Sequence, residues 1–259
     1  MKLSCVTASY VGEPLAYPGH IDWGLASRKI EEGPTLATID SILSRLAPAK
    51  LNGLELWTPH ASPANLTPVL ASAVRQRLAE RGMVCCAYAG GIPDPATDAD
   101  GAEQVFQAAM LLKAAVIAGH LSPAAVPNLG GLCAQYGIRA AFENGGESLV
   151  DIQAAIKSGD PKWVGANLDT GNLAAQGGDP VRAVRELGKR IIHVHFKDVP
   201  AVGSHDCVAL GAGIVDVKGV IRELKAIGYD GWLSIEIETG DHDPTDEIIA
   251  SAEALRRLW

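Results

Sequence analysis

Four segments in the second half of the sequence each close an apolar run on side chains able to bind a cation. They are AAFENGG with Glu143, GANLDTGN with Asp169, IIHVHFKD with His193 and His195, and WLSIEIET with Glu236 and Glu238. Carboxylate oxygens joined by an imidazole nitrogen make a hard donor set. It suits one divalent ion of the Mn²⁺, Mg²⁺ or Co²⁺ kind and is open to Zn²⁺. A structural zinc site would call for cysteines, and none stands at these places. Side chains two apart share a strand face, so His193, His195 and Lys197 point one way, as do Glu236 and Glu238. Two glutamates on one face of a buried strand are costly unless a cation offsets them. His195, nearer the strand end, is the better ligand, with His193 deeper behind it. Glu236 is favoured over Glu238, which lies nearer the loop. Asp169 taken alone would be an Asx turn ending a strand; Glu and His at the same level on neighbouring strands make it a ligand.

The elements that must position these groups follow from their spacing. Positions 143, 169, 195 and 236 stand 26, 26 and 41 residues apart, room for a helix and two loops each time. Strand, helix, strand at that spacing is a (β/α) unit, and in barrels of such units the reacting groups sit at the C-terminal strand ends. Eight candidate strands cover residues 2–8, 52–57, 83–89, 114–119, 138–143, 164–169, 190–197 and 232–238. Most are short apolar runs without strict alternation, as for parallel strands covered on both faces. Amphipathic stretches lie between them. Asp100, Asp151 and Asp179 offer helix N-caps, and Gly82, Gly137, Gly159, Gly188 and Gly228 stop helices before strands. The expectation is one α/β domain over residues 1–259, a (β/α)8 barrel. An open doubly wound sheet is the runner-up, but no glycine-rich phosphate turn follows KLSCVTA, and the GAG at 211–213 comes late. The long aromatic segment YVGEPLAYPGHIDWGLASRKIEEGPT follows the first strand and so belongs at the mouth. A short helix is expected over about 123–136, interrupted by Pro127 and Gly130–Gly131.

Composition narrows the class. The chain has 259 residues, is 47% hydrophobic and carries a net charge of −8. With no Lys/Arg cluster, it offers no basic surface for nucleic acid. The five cysteines show no ligand spacing and read as reduced core thiols. No signal peptide or membrane span is apparent, so the expected setting is soluble and cytoplasmic, with a homodimer allowed.

The order Glu, Asp, His, Glu on strands five to eight, with HVHFKD on the seventh and WLSIEIE on the eighth, resembles the xylose isomerase-like TIM-barrel superfamily. NGLELW at strand two and LGAGIVDVKGVIRELKAIGYDG are similar to it too. The resemblance runs over nearly the whole chain and takes in ketose 3-epimerases, hydroxypyruvate isomerases, inosose dehydratases and the endonuclease IV branch. It implies Glu143, Asp169, His195 and Glu236 as metal ligands, with Glu143 and Glu236 also serving as acid and base. It implies an isomerase or epimerase of a small sugar, polyol or keto acid, working through a metal-stabilised enediolate. A dehydratase of the inosose or dehydroshikimate type is the alternative, and a silent sugar-binding barrel is a weaker one. The nuclease branch would need many more histidines and a basic face. Two departures bear on specificity: Asn172 stands where many relatives carry a substrate-contacting histidine, and PAVGSHDC after Lys197-Asp198 holds no arginine where the epimerases place one shortly after the strand-seven histidine. Lys197 supplies the nearest cation, free to pair with Asp198 or a glutamate. Expected substrate contacts are Lys197, Asn172, His193, His120, Glu238 and Trp57, with Trp23 and Tyr88 as further lining. His60, His205 and His242 read as solvated loop residues, and Trp163 and Trp232 as packing at the opposite end.

Overall fold

Along each strand, large apolar side chains alternate with small or polar ones, and the two sets go to opposite faces. In the computed structural model, which describes residues 1–259, the strands are β1 (Lys2–Val6), β2 (Gly53–Trp57), β3 (Val84–Ala89), β4 (Val116–Gly119), β5 (Arg139–Glu143), β6 (Val164–Asp169), β7 (Ile191–Phe196) and β8 (Trp232–Ile235). Each pairs in parallel with the next, and β8 pairs back onto β1, closing the barrel and setting aside the open sheet. The helices are α1 (Trp23–Glu31), α2 (Thr35–Arg45), α3 (Pro68–Ala79), α4 (Ala99–Leu112), α5 (Gly130–Tyr136), α6 (Leu149–Ser158), α7 (Thr170–Ala175), α8 (Pro180–Leu187), α9 (Val217–Ala226) and α10 (Thr245–Leu258). None is long and apolar enough to cross a membrane.

The main core lies between barrel and helices. Leu3, Leu54, Leu56, Tyr88, Ile117, Phe142, Leu168, Phe196 and Ile235 from the strands pack there with Ile39, Leu78, Phe106, Ile156, Val184, Leu224 and Ile248 from the helices. The lumen is narrower and holds smaller groups. Cys86, Ala87, Val116, Ala118 and Ala141 cluster near Trp232, while Val6, Ala8 and Ala89 cluster under Trp57. Gly53 is needed at the closed end, because a Cβ there would run into the Trp232 ring. Trp232 therefore plugs the bottom, as its place at a strand start suggested.

Several expectations are corrected. The strands do alternate, because barrel closure leaves one face a crowded lumen rather than a second helix layer. β1 stops at Val6, and Thr7–Tyr10 turn into a short 3₁₀ helix. β8 stops at Ile235, because its neighbour β7 ends at Phe196 and offers little further ladder. The fourth crossover helix covers only Gly130–Tyr136, after a 3₁₀ turn through Pro127. Asp98, not Asp100, caps α4; Ser148 caps α6, with Asp151 returning the bond as the third residue of a capping box. Asp179 caps α8 as expected. α1, inside the long mouth segment, was not anticipated. Asp22 caps it by accepting the Leu25 N–H. All five cysteines are buried and unpaired.

Candidate metal centre

The ladder sets the acidic and imidazole groups side by side. Asp169 pairs with His195 across β6 and β7, and His195 pairs with Ser234 of β8. Side chains reinforce those strand ends. Asn144 Nδ2 donates to the Asp169 carbonyl and its Oδ1 accepts the Asp169 N–H, both at 2.9 Å. The Thr170 hydroxyl donates to the Lys197 carbonyl at 2.6 Å and accepts the Lys197 N–H at 3.0 Å. Asn167 Oδ1 accepts the His195 N–H at 3.1 Å. The three strand ends are thus tied together by buried polar side chains as well as by the sheet.

Within that frame, ligand atoms of Glu143, Asp169, His195 and Glu236 all lie within 4.8 Å of one another, and all four residues are buried. His195 Nδ1 stands 3.2 Å from Glu143 Oε1 and 3.1 Å from Glu236 Oε2. Lys197 Nζ donates to Glu238 Oε2 at 3.0 Å and approaches Glu236 Oε2 (3.0 Å) and Asp169 Oδ2 (3.1 Å). Those last two oxygens nonetheless have no hydrogen-bond partner, since the lysine reaches them in distance but not in direction. Asp169 Oδ1 is used, accepting the Asn172 N–H at 2.8 Å as the cap of α7. The Asx turn and the ligand role therefore coexist, one oxygen each.

Charge makes the same point. Burial pushes the Asp169 carboxyl up to about 6, against the pull of Lys197, and pushes Glu238 up to about 7. Burial opposes the charge of Glu236 too, but His195 and Lys197 beside it hold its carboxyl well below the usual range. Burial disfavours the charged forms of His195 and Lys197, yet the surrounding carboxylates outweigh it and keep both protonated well above their ordinary values. Glu143, Asp169, Glu236 and Glu238 face one lysine and one imidazole. Buried carboxylates in excess of their cations, two with an unsatisfied oxygen, fit a bound divalent ion.

Above them opens a cavity of about 610 Å³ whose lining includes Glu143, His195, Lys197, Glu236, Glu238 and Asn172. Trp23, Trp57, His20, His120 and His205 also line it, so the mouth segment does cover the site. Trp23 and Trp57 meet edge to face at 5.6 Å. Two expected contacts fail. His193 is fully buried beneath the cavity and bonds Glu55, not the space a substrate would fill. Tyr88 faces outward into the helix layer and donates to the Ala61 carbonyl at 2.6 Å. His60 is buried beside Trp57 rather than solvated. Lys197 takes Glu238 rather than Asp198 as partner. Glu55 was missed altogether, although a lone carboxylate inside the apolar run NGLELW demands a buried partner.

Comparison with known proteins gives three kinds of likeness. A family profile described as xylose isomerase-like TIM barrel matches residues 43–258. The inosose dehydratase of Lactiplantibacillus plantarum is 30% identical over 129 residues, which are 42% of this chain and 43% of that protein. The chain spans less than half the length of the curated relatives it matches. Among solved structures, the probable 3-DHS dehydratase involved in petrobactin synthesis from Bacillus anthracis superposes with a TM-score of 0.71, at 18% identity over 99% of both chains. The D-allulose 3-epimerase from Methylomonas sp., solved with D-allulose, gives 0.71 at 17% identity over 100% of this chain and 97% of that one. At such identities these two show a shared fold.

Proposed function

The chain belongs to the xylose isomerase-like TIM-barrel family, and from that premise we propose that it is a divalent-metal-dependent enzyme acting on a small carbohydrate, polyol or keto acid. The observation that carries this is the convergence of Glu143, Asp169, His195 and Glu236 within 4.8 Å at the floor of the cavity. An ion bound by these four side chains, of the Mn²⁺, Mg²⁺ or Co²⁺ kind, would act as a Lewis acid on a carbonyl and its neighbouring hydroxyl, acidifying the C–H between them.

The chain's own groups do the rest. Glu143 ends β5 and Glu236 directly follows β8, and the two close on the same point from two sides, 3.2 and 3.1 Å from His195 Nδ1. Glu143 takes the proton beside the carbonyl, leaving an enediolate, and either returns that proton itself to the neighbouring carbon or leaves the opposite face to Glu236, which first takes up a proton from solvent in the cavity. Lys197, held by Glu238, donates to a substrate oxygen. Trp57 and Trp23 wall the apolar side of the substrate, and His120 and Asn172 reach its hydroxyls. Returning the proton gives isomerisation or epimerisation.

Dehydration is a second reading, in which the proton taken up by Glu143 passes to a departing hydroxyl, which leaves as water. The curated matches favour it, several being named inosose dehydratase. Asn172, standing where many relatives carry a substrate-contacting histidine, weighs against a ketose 3-epimerase. One experiment separates the two. Protein reconstituted with Mn²⁺ is incubated in D₂O with a panel of ketoses and inososes, and products are weighed by mass spectrometry. Deuterium uptake without loss of water marks the isomerase or epimerase, and loss of water marks the dehydratase. Metal bound but neither exchange nor water loss would sink the enzyme reading and leave a sugar-binding barrel.

A further inference from the structure

Beneath the four candidate ligands lies a second buried group. Glu55 on β2 reaches across the lumen to β7, with its Oε2 2.7 Å from His193 Nε2 and its Oε1 3.1 Å from His195 Nε2. Glu55 and His193 are fully buried, and His195 is 1% exposed. The two rings stand nearly perpendicular, at 79°, so one planar carboxylate spans two differently oriented donors.

We propose that Glu55 is a positioning residue for the metal site: it accepts the Nε2–H of both His193 and His195, and so fixes His195 in the form whose Nδ1 faces the ion. The inference rests on the metal-site reading given above. An ionised carboxylate only accepts, so a ring nitrogen directed at each of its oxygens must carry a proton. With Nε2 of His195 spoken for, the nitrogen left to coordinate is Nδ1, and Nδ1 is the one lying between Glu143 and Glu236. His193 serves one layer further down. Its Nε2 holds the second Glu55 oxygen, which stops the carboxylate from rotating, while its Nδ1 has no hydrogen-bond partner. The three residues form a stack, His193 to Glu55 to His195, that aims a single nitrogen. Outer partners of this kind orient a ligand ring and fix its tautomer.

Long-range ¹H–¹⁵N spectra of the ¹⁵N-labelled full chain, without metal and with Zn²⁺, read the ring protons directly. Both Nε2 atoms are expected to carry protons in both states, with Nδ1 of His195 losing its proton when Zn²⁺ binds. Glu55→Gln replaces one acceptor with a donor and is expected to weaken Mn²⁺ and Zn²⁺ binding roughly 10- to 100-fold in equilibrium dialysis. His193→Phe, which leaves one Glu55 oxygen free, is expected to give a smaller loss in the same direction. A bare Nε2 on either ring, unchanged affinity in both variants, or a second ion per chain bound at Glu55 would overturn the assignment. If Glu55→Gln does not fold, the wild-type spectra and His193→Phe still decide. A wild-type chain that binds no metal would end the metal-site reading, while protonated Nε2 atoms would leave the clamp standing.

Discussion

Glu143 ends β5 and Glu236 directly follows β8, strands that are not neighbours in the barrel, so their approach to one imidazole nitrogen is a product of the barrel's curvature. Glu143→Gln keeps the volume and removes both the charge and the base. Turnover is expected to fall about 10²- to 10⁴-fold while the circular dichroism spectrum stays unchanged; full activity would end the role given to Glu143. His60 makes a different prediction, about stability. Burial pushes its pKa down from 6.5 to about 3, and its Nδ1 has no partner. Between those values the unfolded chain binds a proton that the folded chain does not, so stability drops as the pH falls below 6.5. At pH 5 the loss through this one group is about 2 kcal/mol. Urea titrations at pH 7 and pH 5 are expected to show a shallower pH dependence for His60→Phe than for the wild type. Equal slopes would show that His60 is not held neutral.

At the scale of elements, the connection between β7 and α9 explains two features that the sequence left apart, the Asp after Lys197 and the late GAG. The Asp198 carboxylate accepts the N–H groups of Val199 and Val215 at Oδ1 and of Gly211 and Gly213 at Oδ2, all at 2.9–3.0 Å. The loop wraps its own aspartate rather than a phosphate. Gly211 takes φ +89°, and a Cβ on Gly213 would overlap the Asp198 carboxylate and the Val199 carbonyl. That wrapped loop carries His205, Asp206 and Cys207 to the cavity wall. Asp198→Asn puts a donor where two N–H groups already point, at a cost of about 2–4 kcal/mol. Tm is expected to fall by roughly 5–15 °C, with KM rising as the wall loosens. A Tm within a degree of wild type would show that the wrap is not what holds the loop.

For the whole molecule, the excess of buried carboxylate at one end of the barrel would couple the binding of a divalent ion to folding. An ion that binds the folded chain alone stabilises it by about 2.7 kcal/mol at a hundred times its Kd, or roughly 5–10 °C in Tm for a chain of this size. Thermal melts with Mn²⁺ are expected to show that rise, and a chelator to reverse it. Melts indifferent to both would remove the ion from the account. The pull is strongest where Asp169 Oδ2 and Glu236 Oε2 lie without partners, so Glu236→Gln should shrink the Mn²⁺ response more than any exposed acidic substitution.

What the sequence determined by itself was the order of the elements and the identity of the strand-end groups. The recurrence of an apolar run, a polar end and a helix-length gap is local, and local pattern survives without coordinates. Glu143, Asp169, His195 and Glu236 were legible for that reason, as were Trp57 at the mouth and Trp232 at the closed end. The tertiary structure decided everything that depends on pairing across the lumen. His193 looked like a substrate contact until β2 placed Glu55 against it, 138 residues away in sequence. Lys197 had two acidic partners on offer in the chain, and only the approach of β8 gave it Glu238 over the adjacent Asp198. Tyr88 went outward because a bulge between β2 and β3 resets the register there. In each case the deciding contact comes from another strand, and closing eight strands into one ring settles which side chains share the interior.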